Sequence, residues 1–374
     1  MFTKPDKSIS ILIPDGESHL LTNIMNCLSL TRQIKIYIIS SKKWLPYKFS
    51  SLISGFTYYP TTDNNELWVS QIEQVYIKNK IDLLMPIFEI GIQRVIKSKH
   101  LFSPSVKIAS IPDSASFDHV NNKWHLNNYC SKHQIPIPKG VKISDSSDIN
   151  KNSLKKFPLI IKPIEGFGGG QGVELVTSLD SLKSKFLTSN SSILAQEFID
   201  GYDIDCSILA REGKILAYTI QKGNLKGSGS FSPYFGIQFI ENGELFDVVK
   251  KIVKSLNWNG VAHLDMRYDQ LHKRYVLIEI NPRYWATVDG SCLVGVNFPY
   301  LAIIEAFGES FKTPTYETKQ YLNLKGLFKV LKSDFSTIFN WQFIYNQTQM
   351  RFVFSDIKPV IYRFFNRTIN LLIR

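Results

Sequence analysis

Cysteine is scarce in this 374-residue sequence: Cys27, Cys130, Cys206 and Cys292 are widely spaced, with no C-x-x-C pair. That excludes a zinc knuckle or a disulfide scaffold and fits a reducing, cytoplasmic setting. No run of about 18 apolar residues occurs, so no membrane-spanning helix is expected. The start, MFTKPDKSISILIPDG, has no long apolar core after its lysines, so no signal peptide is expected. The first apolar run leads into Asp15-Gly16 rather than G-x-G-x-x-G, and no Gly-Lys-Ser/Thr opens a helix. A dinucleotide fingerprint and a Walker A loop are both missing. No serine, cysteine or histidine stands in a recognisable nucleophilic setting, and His19, His119, His125 and His133 lack metal spacing. Acidic residues are outnumbered, 32 against 44 basic, giving a net charge of +12. Such a balance favours an anionic partner. Without a base-stacking aromatic motif, nucleic acid is not expected.

What is present suffices for two or three packed units, with 44% hydrophobic residues. Ser8–Pro14, Ile34–Ser40, Ile81–Pro86 and Lys107–Ile111 read as strands. Helical patterns at His19–Leu30 and Leu67–Lys78 lie between them, the second with Leu67, Ile72, Val75 and Tyr76 on its apolar side. Strands alternating with helices predict a doubly wound parallel sheet over residues 1–112. Glu89 follows a strand's carboxyl end, where α/β ligands bind, although a plain helix-start carboxylate is the commoner case.

Residues 117–138 predict one helix ending before Pro136, capped by Asp118 or Asn121, with Lys123 near its positive end. A lysine there suits a phosphate; an exposed lysine is the alternative. Next, FPLIIKPIEGFGGGQGVELV (Phe157–Val176) predicts two strands around a glycine-rich tip whose N–H groups can close over anionic oxygens, with Lys162 on the entering strand. Ser192–Arg211 predicts two strands around Asp200-Gly201, with Asp203 and Asp205 alternating toward one face. Lys214–Gln221 predicts another strand, Gln221–Gly236 a substrate-side loop or an ordinary surface loop, and Leu245–Leu256 an amphipathic helix.

The densest chemistry lies in YVLIEINPRYW (Tyr275–Trp285) and VAHLDMRYD (Val261–Asp269). As strands of a hairpin, one points Glu279 and Asn281 together, with Val276, Ile278 and Ile280 toward a core, and the other carries Asp265 on the same face as His263 and Arg267. A register opposing Asp265 to Glu279 gathers two carboxylates and an amide oxygen, ligands suited to Mg²⁺ that keeps substrate phosphate in its shell. A solvated sheet face with scattered acids is the competing reading.

The order of these features — lysine on a helix, lysine before a glycine hairpin, QEFIDGxD, LDxR, then EINPR — resembles the ATP-grasp superfamily. Within it, the sequence is similar to the carboxylate–amine ligase-like branch related to carbamoyl-phosphate synthetase and biotin carboxylase. The likeness covers roughly residues 80–308 and is most specific at Glu279–Arg283. It implies an α/β N-terminal domain (1–112) followed by an α+β ATP-grasp fold (113–310, glycine-rich lid near 160–176), with a basic, aromatic-rich C-terminal extension (311–374). It also implies roles. Lys123 and Lys162 would contact the phosphates of ATP, and Gly168, Gly169 and Gly170 would form the lid. Gln196, Glu197 and Ile199 would lie at the adenine edge, and Asp203 would meet the ribose, where the family usually has glutamate. Asp265, Glu279 and Asn281 would hold Mg²⁺, with Mn²⁺ as a substitute. Arg283 and Lys162 would serve catalysis, Arg283 on the transferred phosphoryl or acyl phosphate.

The activity implied is ATP-dependent joining of a small-molecule carboxylate to an amine, loosely associated with surface-polysaccharide or natural-product pathways. A kinase-like phosphotransferase and a non-catalytic ATP-binding scaffold are the alternatives. A homodimer is compatible with either. The tail segment Lys358–Arg374 reads as a basic amphipathic helix, either packed on the core, which is favoured, or peripheral on the inner membrane face.

Overall fold

The computed structural model describes residues 8–31, 33–151, 156–166, 170–189, 191–227 and 231–362. The chain divides into two compact units, one of residues 1–112, 259–261 and 283–374, the other of residues 113–258 and 262–282.

The first unit opens with β1 (Ile9–Ile13), α1 (Leu21–Ser29), β2 (Ile34–Ser40), β3 (Ile53–Tyr58), α2 (Asn65–Lys78), β4 (Leu83–Leu84) and α3 (Glu89–Ser98). The sheet order is β3-β2-β1-β4, and every pair is parallel. The buried run of β1 is what a parallel strand covered on both faces requires. β3 escapes the sequence reading because it is a half-buried edge strand with no continuous apolar run. Lys107–Ile111 is not a full strand: Ile108 makes one isolated parallel bridge to Leu84. Leu67 is exposed, contrary to expectation. The inward stripe of α2 is Val69, Ile72, Val75 and Tyr76, and Leu67, two residues before Val69, lies about 200° around the helix from it.

The second unit contains α4 (Ser114–Asn121), α5 (Lys123–Lys132), β5 (Gly140–Ile143), α6 (Ser146–Lys151), β6 (Leu159–Pro163), β7 (Glu174–Val176), α7 (Leu179–Thr188), β8 (Ile193–Glu197), β9 (Gly201–Arg211), β10 (Lys214–Leu225), β11 (Gly236–Ile240) and α8 (Gly243–Ser255). The long hairpin of β12 (Gly260–Asp269) and β13 (Arg274–Asn281) completes it. The single helix expected from residue 117 is two. Asn122 is extended, and its side chain accepts the N–H groups of Trp124 and His125, both at 3.0 Å, while Asp113 caps α4. A side-chain oxygen that satisfies the first N–H groups of a new helix breaks the old one there. Lys123 thereby becomes the first residue of α5.

One sheet has the order β5-β8-β6-β7, and its antiparallel β6–β7 pair flanks the glycine-rich segment as expected. In the other, β13-β12-β9-β10-β11 lie in that order. One face of this second sheet carries the core: Ile204, Cys206 and Ile208 of β9, Ala262, Leu264 and Met266 of β12, and Tyr275, Leu277 and Ile280 of β13 pack with Leu245, Val249 and Ile252 of α8. Each fully buried aliphatic side chain contributes about 1.5–3 kcal/mol relative to exposure. A one-residue slip would turn all of them outward, so the register is strongly specified.

After β13 the chain continues in the first unit through α9 (Val288–Leu293), α10 (Phe298–Ala306), β14 (Gln320–Leu322), α11 (Leu324–Ser333), α12 (Trp341–Gln347) and α13 (Met350–Ser355). Buried Asp289 on α9 accepts from Asn26, Tyr321 and Gln349, tying three distant segments to one carboxylate. Most of the helix expected at Lys358–Arg374 lies outside the described residues. Among those described, no helix is long and apolar enough to cross a membrane.

Gly201 opens β9 with φ +154°, and a Cβ there would stand 1.7 Å from the Tyr268 carbonyl oxygen. That neighbour is backbone in the central sheet and cannot swing aside. Gly201→Ala is therefore expected to destabilise the second unit by roughly 1–3 kcal/mol, read as a lowered urea midpoint. An unchanged midpoint would contradict the close approach.

Candidate active site

Opposite the core face, alternation brings the polar residues of three strands together. Asp203, Asp205 and Ser207 project from β9, His263, Asp265 and Arg267 from β12, and Glu279 and Asn281 from β13. The hairpin register opposes Asp265 to Glu279, as the sequence led us to expect, and also His263 to Asn281. One detail differs. The register jumps after Asp265, so that Met266 faces Leu277 and Ile278 is an extra residue on β13. This β-bulge shifts the phase of the strand. Tyr275 and Leu277 occupy the core before it and Ile280 after it, whereas Ile278, expected inward, is only half-buried.

The bulge also leaves the Ile278 carbonyl available to Lys162, whose Nζ donates to it at 3.2 Å. Lys162 is buried, and burial pulls its ammonium down from 10.5 to about 8. The Glu279 and Asp265 carboxylates work against that shift, and the Lys123 charge adds to it. Lys123 reaches the same place from α5, with Nζ 3.5 Å from Glu279 Oε1 and both side chains largely covered. Its own N–H donates to Ile164 O, just beyond β6, which locks the start of α5 to the strand that carries Lys162. Two cations and two carboxylates therefore share one small region.

Asp265 divides its carboxylate between two neighbours. Oδ1 lies 3.1 Å from His263 Nε2, and Oδ2 accepts the Asn281 amide at 3.2 Å. His263 Nδ1 is 2.9 Å from Ser207 Oγ. Asp205 adjoins this chain, and one ligand atom from each of Asp205, His263 and Asp265 lies within 4.8 Å of the others. Desolvation raises the Asp205 carboxyl from 3.8 to about 7, and the nearby Asp265 and Asp203 charges push the same way. Sequence reading missed Asp205, Ser207 and His263 as a group, although D-x-S and H-x-D at two-residue spacing were the available signal.

Arg267 is a further omission. Its Nε donates to Ile199 O at 2.6 Å, Nη2 to Gly201 O at 2.8 Å, and its guanidinium pairs with the Asp203 carboxylate. Asp203 also accepts from Tyr234 at 3.2 Å. Gly201, Asp203, Tyr234 and Arg267, with Asn224 and Lys226, line a cleft of about 280 Å³. Gln196, Glu197 and Ile199 lie on β8 and just after it, in the other sheet. The buried Gln196 amide donates to Pro138 O, and Glu197 accepts the Lys139 N–H. Gly168 and Gly169 lie outside the described residues. Gly170 has φ +76°, and a Cβ on it would come 2.1 Å from Phe231 O, so this end of the hairpin tip runs against backbone and requires glycine. In the first unit, Arg283 Nε lies 2.9 Å from Glu89 Oε1, its Nη1 donates to Tyr284 O, and its guanidinium lies over the Phe88 ring. Glu89 thus starts α3 with a buried ionic partner.

Comparison with known proteins decides the fold family. Residues 120–287 match the ATP-grasp domain family. The chain contains an ATP-grasp domain. It is 22% identical over 222 residues to a carbamoyl-phosphate synthase of Methanobrevibacter smithii, covering 56% of this chain and 59% of that protein. It is 22% identical over 231 residues to a D-aspartate ligase of Enterococcus faecium, covering 56% and 55%. The chain thus spans less than two thirds of the length of these relatives. An ADP complex of N5-carboxyaminoimidazole synthetase from Staphylococcus aureus shares its fold, with TM-score 0.70 and 17% identity, covering 91% of this chain and 89% of that one.

The depressed Lys162 ammonium gives the ATP-grasp domain a pH signature. Between about 8 and 10.5 the unfolded chain holds this proton and the folded chain does not. The unfolded state then binds more protons, so the Lys162 contribution to stability rises with pH across that window and is flat below it. Urea unfolding of wild type and Lys162→Met is expected to show a difference that shifts in favour of wild type from about pH 8 upward. Parallel pH profiles would refute the burial argument.

Proposed function

We propose that the protein is an ATP-dependent ligase that activates a small-molecule carboxylate as an acyl phosphate and joins it to an amine, releasing ADP and phosphate. The observation that carries this reading is the meeting of Lys162 and Lys123 with Glu279 beside Asp265 on one face of an ATP-grasp domain. A carboxylate is a poor electrophile because its leaving group would be oxide. Phosphorylation supplies a leaving group that an amine can expel. The cost of the transfer is negative charge on the phosphoryl oxygens, and fixed cations are what reduce it.

Lys162 suits that task because it is buried and held by the Ile278 carbonyl, so little reorganisation accompanies the charge it meets. Lys123, on the first turn of α5, adds its charge beside helix N–H groups that already favour an anion. Asp265, Glu279 and Asn281 fit Mg²⁺, since two half-buried carboxylates face each other across the hairpin with an amide beside them. When bound, the ion would neutralise phosphate charge. Arg283 is the further cation that the family pattern assigns to the phosphoryl group or acyl phosphate. The glycine-rich segment after β6 would cover the phosphates and keep water from a hydrolysable intermediate. Asp203, tied to Arg267, would meet the ribose. The D-aspartate ligase and carbamoyl-phosphate synthase similarities support carboxylate activation as the reaction class.

The purified chain, given ATP, Mg²⁺ and a mixed pool of small carboxylates and amines, is expected to release phosphate only when both an acid and an amine are present. Glu279→Gln is expected to lower that rate by about 10²–10³-fold while leaving the circular dichroism unchanged. A phosphorylated hydroxyl without phosphate release would identify a phosphotransferase instead. Full activity in Glu279→Gln would remove this face from the mechanism.

A further inference from the structure

We propose that Asp205, His263 and Asp265 form a binding site for a first-row transition-metal dication, adjoining the Asp265–Glu279–Asn281 set through the shared Asp265 carboxylate and independent of the ligase reading. The geometry rests on three features. First, the ligand atoms converge: one from each residue lies within 4.8 Å of the other two, and His263 Nε2 is 3.1 Å from Asp265 Oδ1. Adjacent ligands on an octahedral ion at about 2.1 Å stand about 3.0 Å apart, so that pair already has the spacing of two neighbouring donors.

Second, the imidazole has an outer partner. Ser207 is fully buried, and its Oγ lies 2.9 Å from Nδ1. A metal-bound imidazole donates its other ring N–H to such an acceptor, which fixes ring orientation and tautomer. With Nδ1–H toward Ser207, Nε2 is left as the ring atom 3.1 Å from Asp265 Oδ1. On the far side, the Gln221 amide nitrogen lies 3.5 Å from Asp205 Oδ2 across the β9–β10 ladder.

Third, Asp265 keeps the two sites apart. Its Oδ1 faces His263 and its Oδ2 faces Asn281. A donor set limited to carboxylate and amide oxygen favours Mg²⁺, whereas an imidazole nitrogen with two carboxylates favours ions from Mn²⁺ to Zn²⁺. The three ligands and Ser207 stand on two neighbouring strands, β9 and β12, with a packed core behind them. The ligands are therefore preorganised on rigid elements and do not need nucleotide to assemble.

The test uses the full chain, stripped of metal by a chelator and free of nucleotide. Co²⁺ is titrated and read by visible absorption, and Mn²⁺ is read by electron paramagnetic resonance. One Co²⁺ per chain is expected. Loss of at least about tenfold in affinity is expected in His263→Gln, Asp205→Asn and Ser207→Ala, whereas Glu279→Gln keeps wild-type affinity. Mg²⁺ at equal concentration should not displace Co²⁺. Pulsed resonance of Mn²⁺ in the wild-type chain should show imidazole nitrogen coupling, a readout that needs no variant to fold. The proposal is overturned by the absence of stoichiometric binding, by missing nitrogen coupling, or by affinity that survives His263→Gln. Loss in Glu279→Gln alone would place the ion on the Oδ2 side and equally overturn it.

Discussion

The second unit depends on a phase constraint. Three adjacent strands must keep their apolar side chains on one face against α8 and their charged side chains on the other. A side-chain period of two permits this only where the strands stay in step or a bulge resets the phase. β13 does lose step, by one residue, at Ile278. The extra residue lets Tyr275 and Leu277 pack inward before the bulge and Ile280 after it, so the core stays continuous. The same irregularity brings Glu279 opposite Asp265 and provides a carbonyl for Lys162. Packing and chemistry are thus reconciled at a single position.

Electrostatics follow from that arrangement. Burying an ammonium is unfavourable unless hydrogen bonds and opposite charge compensate. Lys162 receives both, from the Ile278 carbonyl and from Glu279 and Asp265, yet desolvation remains the larger influence and its proton is weakly held. Lys123 shares Glu279 and opposes Lys162. The resident charges are balanced only loosely, so a polyanion entering this face would find cations already desolvated and fixed in place. Such preorganisation makes a site electrostatically effective for an anionic group.

Much of this was readable from the sequence because it rests on short-range periodicity. The strand alternation in Val261–Asp269 and Tyr275–Asn281, the opposition of Asp265 to Glu279, and the two strands around the glycines all follow from a period of two and a turn. What escaped depends on longer-range facts. The bulge cannot be seen in VLIEI, because Val276 and Leu277 are both apolar and either phase of the strand's first half puts an apolar residue inward; only the partner strand and α8 decide. The break at Asn122 was missed because an apolar pattern continued through it, and the decisive event is a side-chain cap. β3 is an edge strand whose half-exposed residues resemble a loop. Strand alternation puts Arg267 on the face with His263 and Asp265 but assigns it no task, and its guanidinium holds the Ile199 and Gly201 carbonyls at the entry to β9.

The role of Asp265 shows why a residue-by-residue assignment is too coarse for this face. In sequence it is one carboxylate among several. In the fold its two oxygens belong to different neighbourhoods, Oδ1 with His263, Ser207 and Asp205, and Oδ2 with Asn281 and the Glu279 side of the hairpin. A change that rotates this carboxylate must disturb both neighbourhoods, because the oxygens are rigidly linked through one carbon. The His263–Ser207 contact therefore bears on Glu279 and Asn281 without touching either. Burial of Ser207 in the sheet holds the imidazole, the imidazole aligns Asp265, and Asp265 presents its second oxygen to the face that Lys123 and Lys162 share. Orientation on the Lys162 side is thus set from within β9, one strand removed from the strand that carries Asp265.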